Sequence, residues 1–564
     1  MKLNMPADAD SQSRQRHLIA LAMMLLLGLG LRLWHLDSKP LWLDEVLSAL
    51  FTMGRSYADV PLDQFFPLTE LAQVFTVQPD VSWGEITQRV ATESVHPPIF
   101  FCLMYSWMRW LVNPTEQPTE QPAEHWIFAL RLLPALFGVG AIAAIYWLNR
   151  VAFSPKAGLL AATLMAVSPF AVYLSQEARH YTLPMLLITL ALAALVQMQH
   201  LIQQKQLRPL VWGSWSLFNL LGLYTHYFCL LALIAQIGAL TLWMLWHRHL
   251  IRRQFWIAWG LVIAAIGIGY LPWLPTLISH FSRPETDWLI PYKPDWLDRV
   301  EPLYQTLVGW TLMVIALPVE DQPNWIAIPA SLLMLAFMIW LAWQLKIGFK
   351  ALWQNLANRP ATLLIGGFTG FVLLQFFAIV YLLDKDLTVV PRYNFVYYPG
   401  VCALLAACFS SRAAAGAKRY PVMLLLLAGL VSSIAVVHGG SFQKSYYPDQ
   451  VAQDFAFDPN QPLAVVMTYR SPQEVALGLS FALELAKRYP PETENQTVDQ
   501  QVRFAFLDRT DGYSEAWKNL SDFDQPLPPP LNLWAIASPG MRTKDYPQRL
   551  RLNAPLLPPR APKC

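Results

Sequence analysis

Two adjacent carboxylates, Asp44 and Glu45, stand in the stretch Pro40-Leu-Trp-Leu-Asp-Glu-Val, just past the first membrane-length apolar run. Placed there, a carboxylate can take a proton from a hydroxyl at the membrane face, where groups such as lipid-linked sugar phosphates lie. Further along the same loop, His96-Pro97-Pro98 opens a run of apolar and aromatic residues with helical character. Ser175-Gln-Glu-Ala-Arg179-His-Tyr181 packs ionisable groups between two apolar runs, where they are costly unless partnered or used. His226 lies in Tyr224-Thr-His-Tyr227, and Arg392 with Tyr393 follows Pro391 at the mouth of another run. A forked guanidinium is the protein group best shaped to hold a phosphate.

Each of these has an ordinary explanation. Acids favour the first turn of any helix, proline suits a helix start, and Glu177 with Arg179 makes a plain ion pair. A lone histidine among aromatics is commonly satisfied structure, and an arginine at a span's end can snorkel to the interface. The functional reading therefore depends on whether the elements carry all five groups to one side.

The elements are membrane spans. The chain has 564 residues, 55% hydrophobic and 14% charged, well below the roughly 25% charged of soluble domains. Its 23 Trp, 21 Tyr and 29 Phe suit anchoring at membrane interfaces. A formal charge of +3 gives no basis for nucleic-acid binding. The five cysteines form no CxxC or spaced Cys/His set, so neither a disulfide framework nor a cysteine zinc site is indicated. Arg14 and Arg16 precede the first apolar run and no small-residue cleavage site follows it, which predicts a retained span.

Apolar runs predict spans at 18–34, 126–148, 157–174, 181–199, 210–224, 228–246, 255–277, 324–345, 361–383, 394–411 and 421–438. With the N-terminus cytoplasmic, the inner loops hold Arg150, Lys156, Lys205, Arg208, Arg248, Arg252, Arg253, Lys346, Lys350, Arg359, Arg412, Lys418 and Arg419. Those loops hold no acid, an asymmetry that fixes orientation by the positive-inside rule. The run 210–246 is flanked by basic residues at both ends and is too long for one crossing, so it turns near 224–227. Segment 303–319 and the helix after Pro97 are expected to be interfacial or re-entrant, because a single crossing there would break the charge parity. The repeat from Pro114 to Glu124 reads as a flexible loop. All five candidate groups then fall outside.

Residues 440–564 change character. Strand-like runs at 464–468, 502–507 and 533–537 with an amphipathic helix near 473–488 predict a small external α/β tail, with proline-rich ends at 526–530 and 555–562. The expected division is 1–438, a transmembrane catalytic domain whose first outer loop is 35–125, and 440–564. Nothing in the tail reads as catalytic.

The order of motifs resembles the GT-C glycosyltransferases of family 39: the protein O-mannosyltransferases, their bacterial relatives, and the aminoarabinose transferases of lipid A. In that superfamily an Asp-Glu pair follows the first span, a His-Pro-Pro or Lys-Pro-Pro helix shares its loop, and an Arg-Tyr segment follows the third span. Here these are Asp44-Glu45, His96-Pro97-Pro98 and Gln176-Glu177-Ala-Arg179-His180-Tyr181. The resemblance covers about residues 18–440, and the histidine at 96 is closer to the mannosyltransferase pattern than the lysine of the aminoarabinose enzymes. The β-trefoil domain of the eukaryotic mannosyltransferases has no counterpart here.

The resemblance implies a mainly α, polytopic GT-C bundle with its active site on the extracytoplasmic face of a bacterial inner or plasma membrane, and the charge pattern adds about 11 spans and an external tail. It implies a polyprenyl-phosphate sugar donor and transfer to a hydroxyl of a lipid, glycan or protein. Asp44 is then the general base of an inverting reaction, with Glu45 orienting it. Arg392, Arg179 and His96 hold the phosphate, while His226, Tyr181 and Tyr393 line the pocket. No cofactor is called for, and a divalent metal near the acids is left open. The rival readings are a lipid transporter or flippase, expected to show matching halves and midplane sites, and a non-catalytic scaffold.

Overall fold

A computed structural model describes residues 7–112, 125–283, 297–416, 418–454, 462–489, 502–520, 523 and 532–546. The Pro114–Glu124 repeat and both proline-rich segments of the tail lie outside these residues. The described chain forms two compact units. One comprises 1–36, 94–100 and 131–443, and the other 37–93, 101–130 and 444–564. Residues 37–93 of the first outer loop share a unit with the tail, and residues 94–100 of that loop share one with the bundle.

The first unit is a helical membrane bundle. Eight described helices in the chain are long and apolar enough to cross a bilayer, from Gln15–Leu33 to Tyr420–Val437. The segment expected at 157–174 breaks into Pro155–Ala166 and Pro169–Ser175, bent by 60°, and makes a ninth span if counted as one. Helices also occupy the other two expected positions, Pro209–Leu223 and Tyr398–Ala414, at 15 and 17 residues. The long 210–246 run does turn, between Leu223 and Cys229. Segment 303–319 forms a 12-residue helix, Glu301–Leu312.

The 60° break is stabilised from the first helix. Breaking a helix frees carbonyls that must be satisfied inside protein when no water is at hand. Arg32, fully buried, donates to Met165 O at 3.1 Å and Ala166 O at 3.2 Å, and also to Gly28 O at 2.9 Å and Ser175 Oγ at 3.1 Å. Ser433 Oγ donates to Val167 O at 2.8 Å, and Ser168 Oγ accepts the Ala171 N–H that starts the second half. Gln176 in turn donates to Trp34 O at 2.9 Å, capping the end of the first helix. Gly138 makes this close packing feasible, because a Cβ there would lie 2.2 Å from Ser175 Oγ and 2.9 Å from Arg32 Nε.

The second unit contains a four-stranded sheet of β1 (Phe65–Pro67), β2 (Leu463–Tyr469), β3 (Val502–Asp508) and β4 (Asn532–Ile536), in the order β1-β3-β2-β4. The last three are parallel; β2 and β3 are near-continuous apolar runs buried along most of their length, as suits inner parallel strands, and β4 is the half-buried edge. β1, from the first outer loop, pairs antiparallel with β3 through Phe66 opposite Phe504. Helix Pro472–Arg488 packs on the sheet, where Gly478 allows the approach: a Cβ would sit 2.3 Å from the Phe506 ring.

Candidate functional site

In the bundle, three loops meet. The His-Pro-Pro segment docks on the 224–228 turn through Ile99 N–H to Tyr224 O at 3.1 Å. Its His96 ring lies 4.5 Å from His180, and His180 lies 4.7 Å from His226, centroid to centroid. Tyr181 and Phe395 close on the same group, the His226 and Phe395 rings being 4.9 Å apart and Tyr181 and Phe395 5.9 Å. Arg179 lies over the Tyr181 ring at 5.8 Å, and Arg392 over Tyr393 at 5.7 Å. Glu177, Arg179, His180, Tyr181 and His226 are buried, while His96, Arg392 and Tyr393 retain part of their surface.

The environment keeps the imidazoles uncharged. Burial first, then the Arg179 charge and neighbouring rings, holds His96 and His180 well below the usual histidine value. Burial, His96 and Arg179 do the same for His226. His226 Nδ1 accepts the Phe228 N–H at 3.0 Å, which puts the ring proton on Nε2. His96 Nδ1 pairs with Ser94 Oγ at 2.8 Å, and Ser94 O accepts from Arg283 at 3.0 Å. Positive charge here therefore resides on arginines, with the neutral rings supplying donors. That combination suits an anion with a rigid, oxygen-rich head.

The second unit holds the acids. Asp44 and Glu45 occupy the first turn of helix Leu43–Thr52, where the helix dipole favours carboxylates. Asp44 is half-buried and Glu45 is buried, with Glu45 Oε2 accepting the Trp42 N–H at 3.4 Å. The tail supports this turn from three residues. The Tyr446 hydroxyl accepts the Leu43 N–H, Ser480 Oγ donates to Leu41 O, and Lys444 Nζ stands 3.7 Å over the Trp42 ring. Burial, then the charges of Asp44 and Glu45, pushes the Tyr446 phenol up, so it stays protonated beside them.

The bundle thus brings together His96, Arg179, Tyr181, His226, Arg392 and Tyr393, and the second unit carries Asp44 and Glu45. Phe395, Lys444 and Tyr446 escaped the sequence reading, and His180 was quoted in its motif without a role. His180 sits at the centre of the rings, and its adjacency to Arg179 was the available signal. Phe395 follows Arg392 by one 3₁₀ turn. Lys444 and Tyr446 carried no signal, because nothing in the sequence ties the tail to Asp44. Among the described residues no group of three or more His, Cys, Asp or Glu side chains is placed to hold a metal ion.

Residues 100–273 match the family model described as dolichyl-phosphate-mannose-protein mannosyltransferase. That stretch contains Arg179, His180, Tyr181 and His226. No curated protein sequence matches the chain. Among solved structures, the chain is similar to ArnT from Cupriavidus metallidurans in the apo state, at 13% identity and a TM-score of 0.47, over 90% of this chain and 92% of that one. It is also similar to the archaeal oligosaccharyltransferase AglB from Archaeoglobus fulgidus, solved with an inhibitory peptide and a dolichol-phosphate. There the identity is 12% and the TM-score 0.46, over 83% of this chain and 64% of that one. This chain therefore spans less than two thirds of the archaeal enzyme.

Proposed function

We propose that this chain is an integral membrane glycosyltransferase of the GT-C type that moves a sugar from a polyprenyl-phosphate carrier to an acceptor hydroxyl. The observation that carries the proposal is the meeting of His96, His180 and His226 with Arg179 and Arg392 in the bundle, most of it inside the stretch that matches a dolichyl-phosphate-mannose-using family. The one-sided basic loops support an extracytoplasmic site. Sugar and acceptor class, whether lipid, glycan or protein, stay open within the proposal.

A lipid phosphate is already a weak base, so its departure needs charge stabilisation more than a proton. Arg392 and Arg179 supply that charge as the bond from the anomeric carbon to the phosphate oxygen breaks. The acceptor oxygen attacks the opposite face of that carbon, and Asp44 takes its proton, so configuration inverts. Glu45, fixed by the Trp42 N–H, orients the first turn. His226 and His96 donate to phosphate oxygens, and Tyr181 and Tyr393 hold the arginine planes.

The test is transfer from a synthetic polyprenyl-phosphate sugar in proteoliposomes. Asp44→Asn keeps the shape and removes the proton acceptor, so turnover should fall by about 10²–10⁴-fold with donor binding retained. Near-normal turnover would remove Asp44 from the reaction. Movement of intact donor between leaflets, without cleavage, would favour a flippase instead.

A further inference from the structure

The first outer loop contains a cavity that the reaction just described does not use. It measures about 480 Å³ and lies wholly in the second unit, lined by Arg55, Tyr57, Asp59, Gln64, Glu70 and Gln73 among others. That volume falls in the range of small-ligand sites, roughly 300–1,000 Å³. Such sites are usually apolar with a few polar groups. Here two amides, two carboxylates, a guanidinium and one aromatic ring share the lining with five aliphatic residues, and most of the exposed lining is polar.

The lining is fixed in place by backbone contacts. Tyr57 N–H donates to Glu93 Oε2 at 3.1 Å, and Ser56 N–H donates to Asp59 Oδ2 at 2.8 Å. Arg55 pairs with Asp59 at 3.6 Å. The Tyr57 ring stands edge-on to Phe51 at 6.3 Å, and Phe51 belongs to the helix that starts with Asp44 and Glu45. The cavity is thus built onto the far end of the carboxylate-bearing helix.

Charge and shape select the occupant. The lining guanidinium, Arg55, already pairs with Asp59, and Glu70 is offset by Arg503, so the lining offers a phosphate or an anionic lipid head no net positive charge. An acyl chain finds little apolar wall. A peptide would need apolar pockets for its side chains. A neutral sugar fits: its C–H face stacks on an aromatic ring, and carboxylate, amide and guanidinium groups bridge neighbouring hydroxyls.

We propose that this cavity, around Tyr57, Arg55, Asp59 and Gln73, is a binding subsite for a neutral oligosaccharide, which makes the acceptor a glycan. The assignment rests on the transferase reading above. A glycan held here would be anchored by sugars remote from the reacting hydroxyl, lowering the acceptor's KM without touching the donor.

The experiment is saturation-transfer NMR of the purified full-length protein with neutral oligosaccharides of two to four hexoses, no donor being present. Binding is expected, and both Tyr57→Ala and Gln73→Ala should abolish the transfer signal while leaving the thermal midpoint within a degree or two of the parent. Tyr57→Phe keeps the ring and should retain binding. No signal from any neutral oligosaccharide, or a signal indifferent to both alanine variants, overturns the proposal. So does a serine- and threonine-rich peptide whose binding, and not that of sugar, depends on Tyr57. Sugar binding with no turnover of any polyprenyl-phosphate donor would sink the transferase reading and leave the subsite standing.

Discussion

Arg32 lies far from the rings in sequence, yet its hydrogen bonds hold the helix break that leads into Arg179 and His180. Its guanidinium ties the first helix to the carbonyls of Met165 and Ala166 and to Ser175, and the Arg179-His180-Tyr181 stretch begins four residues after Ser175. Replacing it with methionine keeps the length and removes these three bonds and the one to Gly28. At about 0.6 kcal/mol for each bond between membrane helices, the three sum to roughly 2 kcal/mol. Two broken-helix carbonyls left without donors raise the loss, while removal of a buried charge offsets part of it, so a net cost of about 2–4 kcal/mol is expected. Arg32→Lys keeps the charge without the fork and should fall between the two. The assay is fluorescence-detected size-exclusion after heating in detergent, paired with donor binding. Arg32→Met should lower the midpoint clearly and weaken donor binding in the surviving folded fraction. An unchanged midpoint with full donor affinity would refute the role given to this guanidinium.

Gly138→Ala should destabilise by about 1–3 kcal/mol, since its Cβ would press on Ser175 Oγ at 2.2 Å, and the same heating assay reads it. Tyr446→Phe removes the acceptor for Leu43 N–H, and turnover should drop several-fold with donor affinity unchanged; equal turnover would deny the tail a part in positioning Asp44. His96, His180 and His226 bind fewer protons folded than unfolded between their lowered values and about 6.5. Stability of the ligand-free protein should therefore rise with pH across that window and fall as pH drops below 6.5, as thermal melts from pH 5 to 8 would show. An anion raises those same values, so polyprenyl-phosphate binding should take up protons and tighten toward acid, and a pH-independent affinity would contradict it. A cytoplasm-only reporter fused after residue 564 should be silent if the tail lies outside.

The helical framework was largely legible because bilayer length and charge asymmetry both leave long signals in sequence. Even the turn at 224–228 followed from basic residues at both ends of one overlong run. Strands at 463–469, 502–508 and 532–536 showed as compact β-branched and aromatic runs. The break at Val167-Ser168 had a local signal that the span reading passed over: Pro169 has no N–H to offer Met165 O, and Ser168 caps the second half. Its supports Arg32, Ser433 and Gly138 are long-range and were not legible, and neither was one strand. The short β1 strand has only Phe65-Phe66 to mark it, and its pairing with β3 crosses more than four hundred residues. For the same reason the support of Asp44 by Tyr446 and Lys444 stayed hidden. The ring cluster was half visible: the motifs named His96, Arg179 and His226, while the central position of His180 required the fold.

The central claim is that the arginine and histidine cluster holds a lipid-linked phosphate. It is tested most directly by measuring, on purified protein, the affinity for a polyprenyl phosphate against the matching polyprenol, for the parent and for Arg392→Ala and Arg179→Ala. The account predicts that the phosphate binds at least tenfold more tightly than the alcohol and that each arginine variant erases most of that difference, since a charge-assisted bond is worth about 1.5–3 kcal/mol. Equal affinity for phosphate and alcohol, or a preference untouched by both substitutions, would contradict it.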